Sequence, residues 1–334
     1  MKRIFNVFIF LIICILDLSQ THCLEKPVDK AVPPILSTTS PLKDRLKSLE
    51  EKSRVSLSQA KSGSHALIFD LPVTYNRQVS QWITYFQTRG QKWFREYLER
   101  ASKYMPFIQK ELRRAQLPTD LGYMVMIESG FSANAVSSAD AVGPWQFIES
   151  TGSRYGLSKN WWLDERRDIR KATLAAIRFI QDLYQEFGSW YLVAASYNMG
   201  EAGLRRKIQK HKTRDYWTLI KKNALPKETQ EYVPKILAAM LISKAPNLYG
   251  FRDLERRNPL DYEVIPVPGG TDLGLVADHL GVTRKALRDL NSELLLGYVP
   301  KQVDRHYIRV PKGSTTLVGN YLQSQETAAK SKLE

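Results

Sequence analysis

Leu121-Gly122-Tyr123-Met124-Val125-Met126-Ile127-Glu128-Ser129-Gly130-Phe131 is an apolar helical run that closes on a carboxylate. Leu121, Met124, Val125 and Glu128 stand at i, i+3, i+4 and i+7, so a helix here puts the carboxyl on the same face as three apolar side chains. Pro118 suits the first turn and Gly130 sits where a left-handed cap falls, which places Glu128 in the last turn beside a loop. Removal from water disfavours the charged form, so a carboxyl held there keeps its proton to higher pH and can serve as a general acid. Two plainer readings fit the same pattern: a buried glutamate paired to an arginine, or a helix end whose stripe has rotated toward solvent.

On either side of this run the pattern is also helical. Across residues 76–116, Val79, Trp82, Ile83 and Phe86, then Trp93, Phe94, Tyr97 and Leu98, then Tyr104, Phe107, Ile108 and Leu112 recur at three- and four-residue steps, which reads as core packing rather than a ligand surface. Residues 169–187 carry an apolar band, 191–197 begin a further helix, and 230–244 make another that stops before Pro246. No convincing alternating strand lies between Pro118 and Leu248, so the expected fold class is mainly α. After about residue 258 the character changes. Tyr262-Glu263-Val264-Ile265-Pro266-Val267 alternates like a strand, 273–280 and 283–290 read as short helices, and His306-Tyr307-Ile308-Arg309-Val310-Pro311 reads as a closing strand, together a separate βααβ module.

The ends of the chain have another composition. Met1-Lys2-Arg3 and an apolar run from Ile4 to Leu16 form a secretory signal pattern over residues 1–23, with retention as a membrane anchor the alternative. Both cysteines, Cys14 and Cys23, lie in this leader, so the fold has no internal disulfide; Cys23 is preceded by His22 rather than the small residue a lipoprotein signal wants. Residues 24–75, rich in Lys, Pro, Ser and Thr, read as a flexible tether with one charged helical piece over 43–58. The helical domain then spans 76–255, the βααβ module 260–322 and a polar, frayed tail 323–334. With 49 basic against 34 acidic residues the net charge of +15 predicts attraction to polyanions, although a solvated basic surface explains much of it. For an exported chain those polyanions are wall polymers and anionic lipid head groups; no nucleic-acid-binding motif accompanies the charge.

Four segments recur in a specific order: Glu128-Ser129-Gly130-Phe131, then 137–147 with its Gly143-Pro144-Trp145-Gln146 turn, then Ala194-Ala195-Ser196-Tyr197-Asn198-Met199-Gly200, then Glu228-Thr229-Gln230-Glu231-Tyr232-Val233-Pro234. Together they resemble the catalytic domain of lytic murein transglycosylases of the soluble-transglycosylase (SLT) type, in particular the membrane-bound murein transglycosylase D group, which the run Asp164-Glu165-Arg166-Arg167-Asp168 also resembles. Ser196 replaces the usual Ala before Tyr197, and Pro144 stiffens its turn. Residues 262–311 resemble a LysM module through Gly270-Thr271-Asp272-Leu273, Leu287-Arg288-Asp289-Leu290-Asn291 and the last strand, with the Asp and Thr of the turn reordered and a long stretch after Asn291.

The resemblance implies a lysozyme-like helical fold acting on peptidoglycan glycan strands in the cell envelope, with no metal or cofactor. It makes Glu128 the acid and then the base, cleaving the N-acetylmuramic acid β-1,4 N-acetylglucosamine bond without water to leave a 1,6-anhydromuramyl end. It assigns Ser129 and Gln146 to the cleft wall as hydrogen-bond donors to sugar substituents. Tyr197, Asn198 and Tyr232 then stand near the carboxyl and the substrate. Most glycosidases need two flanking carboxylates. Asp140, Glu149, Asp164, Asp168 and Glu201 are the candidates for a second one, and none sits in a matching motif. The alternatives are a hydrolytic muramidase and a non-catalytic wall-binding protein; the sequence leaves oligomeric state open.

Overall fold

The computed structural model describes residues 68–330; the leader, most of the tether with its charged piece 43–58, and residues 331–334 lie outside them. Helices α1 (Arg77–Gln87) and α2 (Gln91–Arg114) open the helical domain. Asn76 caps α1 by accepting the Val79 N–H at 3.0 Å, and the buried Phe86 and Phe94 rings stack across the turn at 4.3 Å. Next comes a 3-10 turn, Thr119–Gly122, and the short helix α3, Tyr123–Ser129. The pattern predicts one continuous helix from Pro118. The first turn is tighter because the Asp70 carboxylate takes the N–H groups of Thr119 and Asp120, at 2.6 and 2.9 Å.

That contact also moves a boundary. Phe69 and Leu71 are buried, and Val73 and Tyr75 pack on the same core, so the tether expected over 24–75 ends before Phe69. The four stand at every second position, the period of an extended segment laying one face on the domain, which a search for helical periodicity passes over.

After α4 (Glu149–Arg154) and a 3-10 turn, Glu165–Arg167, follow α5 (Ile169–Phe187), α6 (Trp190–Met199), α7 (Glu201–His211), α8 (Tyr216–Lys221) and α9 (Lys227–Lys244). Helix α9 is the axis of the domain, packed against α1, α3 and α6. Every residue from Ile236 to Ile242 is buried, as expected of a helix enclosed on all sides. Pro234 lies inside α9 and has no N–H to give the Gln230 carbonyl. The Tyr216 hydroxyl donates into that gap, 2.8 Å from the Thr229 oxygen and 3.1 Å from the Gln230 oxygen.

The βααβ module forms as its pattern indicates: β1 (Tyr262–Val267), α10 (Leu273–His279), α11 (Arg284–Leu290) and β2 (His306–Pro311), the strands antiparallel with Tyr262 opposite Pro311 and Val267 opposite His306. Asp272 and Thr283 cap the two helices. A last helix, α12, runs Thr315–Lys330, so the segment read as a frayed tail from Gln323 is helical to Lys330. It is held down by Val318, buried in the module core, with Tyr321 and Leu322 packed beside it at i+3 and i+4.

The mainly α fold class is borne out, with one difference in organisation. Trp162 and Leu163 leave the helical domain to join the core of the module, and Leu163 forms a β-bridge with Leu294 in the long stretch after Asn291. That insertion is the docking face between the two parts.

Candidate active site

Glu128 ends α3 where the chain turns sharply. Gly130 has φ of 55°, a Cβ on it would fall 2.2 Å from the Tyr97 ring, and Phe131 follows with φ of 65°. Leu121, Met124 and Val125 on the same stripe are fully buried, while Glu128, one turn on, is only part-buried at the rim of the core. From α9 the Tyr232 hydroxyl donates to Glu128 Oε1. The Glu128 carboxyl is pushed up to about 7, by desolvation above all; the Tyr232 bond works against the rise, the charge of Glu228 adds to it and that of Lys235 opposes it. Burial and the nearby Glu128 raise the phenols of Tyr197 and Tyr232, so both are neutral donors in the working range.

The turn 143–147 faces this helix end. Gly143 has φ of 84° and a Cβ there would meet the Arg166 carbonyl at 1.9 Å, so only glycine permits so close a passage. Trp145 is fully buried and its indole N–H donates to Thr173 Oγ1 at 2.9 Å, tying the turn to α5. The Tyr197 hydroxyl donates to the Trp145 carbonyl at 2.7 Å, and the Ser129 hydroxyl to the Pro144 carbonyl at 2.8 Å. Gln146 takes φ of 49° and its amide donates to the carbonyls of Gly143 and Ala135, at 2.8 and 3.3 Å. Asn198 is clamped from both sides, donating to Glu228 Oε1 at 3.2 Å and accepting the Thr229 hydroxyl at 2.7 Å.

The six residues singled out in the sequence therefore divide. Glu128 and Tyr232 touch. Ser129 and Tyr197 are fastened to adjacent carbonyls of the 143–147 turn, and Gln146 is bonded within it and to Ala135. Asn198 is linked to the site through Glu228 and Thr229. Ser129 is buried with its hydroxyl engaged by the loop, the capping arrangement open to that residue type, rather than displayed in the cleft.

Four of the five second-carboxylate candidates are paired to basic side chains. Glu149 pairs with Lys159 at 2.5 Å, Asp164 with Arg166 at 2.8 Å, Glu201 with Arg154 at 2.5 Å and Asp168 with Arg309, while Asp140 is exposed in a left-handed turn. The carboxylate that acts on Glu128 is one the motif reading passed over, exposed Glu228. Lys235 was missed as well. Glu228, Tyr232 and Lys235 stand at i, i+4 and i+7 on α9, so helical spacing alone could have aligned them on one face. Among the described residues no cluster of three or more His, Cys, Asp or Glu side chains could hold a metal ion.

Residues 105–220 match the family model of the transglycosylase SLT domain, and residues 261–327 that of the LysM-like domain of lytic transglycosylase MltD. The chain is 32% identical over 246 residues to the protein named membrane-bound lytic murein transglycosylase D of Escherichia coli strain K12, and to the same degree to that of the O6:H1 strain. The chain carries a transglycosylase SLT domain followed by an MltD-type LysM-like domain. The two similarities span 72% of this chain and 53% of each relative, so the chain matches about half the length of those proteins. A shorter likeness, 34% over 116 residues, is to a putative tributyltin chloride resistance protein of Alteromonas sp. strain M-1 and covers 34% of this chain and 56% of that one. Glu128, Ser129, Gln146, Tyr197 and Asn198 fall inside the matched SLT segment. Tyr232 lies beyond it, on the helix that completes the SLT domain core.

Proposed function

We propose that this chain is a peptidoglycan lytic transglycosylase of the cell envelope, with Glu128 as acid and then base. The observation that carries the reading is the Glu128 carboxyl itself, pushed up to about 7 at the end of α3 and held by a neutral phenol. Protonated, it gives its proton to the glycosidic oxygen as the bond from that oxygen to muramyl C1 breaks. The carboxylate left behind takes the proton of the muramyl C6 hydroxyl as that oxygen closes on C1, and no water is consumed. A group titrating near neutrality holds and releases a proton with little cost in either direction. Of the five other candidates, four are held by basic partners, Asp140 is exposed in a turn, and none is bonded to Glu128, which supports a single working carboxyl.

Ser129 and Tyr197 then fix the turn opposite the carboxyl, Tyr232 orients the carboxyl, and the part-exposed Gln146 and Asn198 meet the sugar. The basic charge suits an anionic wall polymer. Export rests on the leader; no helix among the described residues is long and apolar enough to cross a membrane. Digestion of sacculi in isotopically labelled water tests the reaction. Anhydromuramyl ends without label are expected, and labelled reducing ends overturn it.

Glu228 favours one second reading, hydrolysis. It is exposed and acts on Glu128, so a water between the two could be activated. Labelled reducing ends that vanish in Glu228→Gln would establish that muramidase.

A further inference from the structure

Beside the apolar insertion of Trp162 and Leu163, the contact between the two domains includes buried charge, and that charge leads to the active-site turn. Arg309, in the middle of β2, is 12% exposed and reaches out of the LysM-like domain to Asp168, which is 1% exposed and caps α5 by accepting the N–H groups of Arg170 and Lys171, at 2.8 and 3.1 Å. The same guanidinium donates to Glu293 Oε1 at 2.7 Å and to the Leu290 carbonyl at 3.1 Å. Asn291 locks its backbone, accepting the Arg309 N–H at 2.7 Å and donating to its carbonyl at 2.8 Å.

A second path leaves from the same place. The Glu293 carbonyl accepts the Asp164 N–H at 2.8 Å, and Asp164 holds Arg166 through its Nε and Nη2, at 2.9 and 2.8 Å. Arg166 spends its remaining Nη1 on the carbonyls of Asp140 and Phe147, at 3.0 and 3.2 Å, the two ends of the loop that carries Trp145 and Gln146. Both Arg166 and Asp164 are 4% exposed in their side chains. Breaking a buried pair by removing one partner leaves the other charge uncompensated, so each link is set firmly while its partner is present.

We infer that Arg309 is a positioning residue for the reaction: the LysM-like domain braces the 140–147 loop, through Asp168 on α5 and through Glu293, Asp164 and Arg166, against the end of α3 that carries Glu128. Arg309 does not touch the carboxyl. It fixes the segment to which Ser129 and Tyr197 are fastened, and displacements of about an ångström at such a distance cost a reaction up to about a hundredfold. The domain thus has a task toward the SLT domain that needs no sugar affinity of its own. The kinetic half of this inference rests on the transglycosylase reading; the structural half does not.

The test compares full-length parent, Arg309→Met and Arg309→Lys by amide hydrogen exchange and by kcat and KM on soluble glycan strands. In Arg309→Met the amides of 140–147 are expected to lose protection while those of α9 keep theirs, with kcat falling about tenfold or more and KM moving less than about threefold. Arg309→Lys keeps the charge without the planar fork and is expected to recover part of both. Unchanged protection of 140–147 overturns the inference, as does an equal loss in α9, which would mean general loosening. A raised KM at unchanged kcat also overturns it, because the domain would then serve substrate binding. If Arg309→Met does not fold, Arg309→Lys carries the same comparison with smaller losses. A parent that forms no anhydro product refutes the proposed reaction, and the exchange measurement still decides the brace.

Discussion

The Tyr232 hydroxyl donates to Glu128 Oε1, joining the second turn of α9 to the last turn of α3. A donor at that oxygen favours the carboxylate and so restrains the rise that burial imposes. Tyr232→Phe removes the restraint while keeping the ring. The alkaline limb of kcat/KM is expected to move to higher pH by about 0.5–1 unit, with kcat reduced because the carboxyl is less well oriented. A limb that stays in place would show that the bond is not made in the working enzyme.

The two charges on the same face of α9 act in opposite senses, which gives a paired test. Glu228 raises the Glu128 pKa and Lys235 lowers it. Glu228→Gln should bring the alkaline limb down and Lys235→Met should carry it up, each by about a few tenths of a unit, since Glu228 is exposed and Lys235 part-exposed and both are screened. Measured at low and high salt, both shifts should shrink as salt rises. Shifts of the same sign in the two variants would refute the electrostatic assignment.

Glu128→Gln separates activity from stability. Activity is expected to vanish. The folded carboxyl titrates at about 7 against an ordinary value of 4.5. Below about pH 4.5 the group is protonated in both states and contributes no penalty. Between the two values the folded chain keeps a proton that the unfolded chain has released, so stability falls as pH rises, and above about 7 the full penalty is in place. Because the residue reaches the rim, the variant is expected to be more stable than the parent by about 1–3 kcal/mol at pH 8 and by close to zero at pH 4, read from urea unfolding. Equal differences at both pH values would mean that Glu128 is not perturbed.

Part of this was legible in the sequence because it is periodic. The stripe ending at Glu128, the aromatic steps of α1 and α2 and the alternation of β1 are local patterns, and each names its element without tertiary help. The left-handed cap at Gly130 was legible for the same reason. What escaped reading depends on partners distant in the chain. Asp70 tightening the turn before α3, Phe69 and Leu71 lying on the helical core, and Arg309 reaching Asp168 all join segments that no local period relates. Within the site, the motif supplied Glu128 and Tyr232, while Glu228 and Lys235 matter through charge, which a motif of touching side chains does not register.

Two helix caps give a last comparison. Gly130 ends α3 and Gly188 ends α5, with φ of 55° and 63°, so an alanine at either meets about 1–2 kcal/mol of left-handed strain. Their surroundings differ. A Cβ at 188 meets nothing within 4 Å, whereas one at 130 falls 2.2 Å from the Tyr97 ring, which is itself packed against Trp93 at 4.9 Å. Gly188→Ala should therefore cost only the strain and leave activity near the parent's. Gly130→Ala should cost about 1–3 kcal/mol more from overpacking and should also lower kcat, because relief of the clash shifts the turn that carries Glu128. A Tyr97→Ala background should recover the overpacking share, giving a coupling of about 1–3 kcal/mol in the double-mutant cycle, while Gly188→Ala should add to Tyr97→Ala without coupling. Equal costs for the two glycine variants, or a cycle at Gly130 that closes to zero, would show that the ring does not confine the turn.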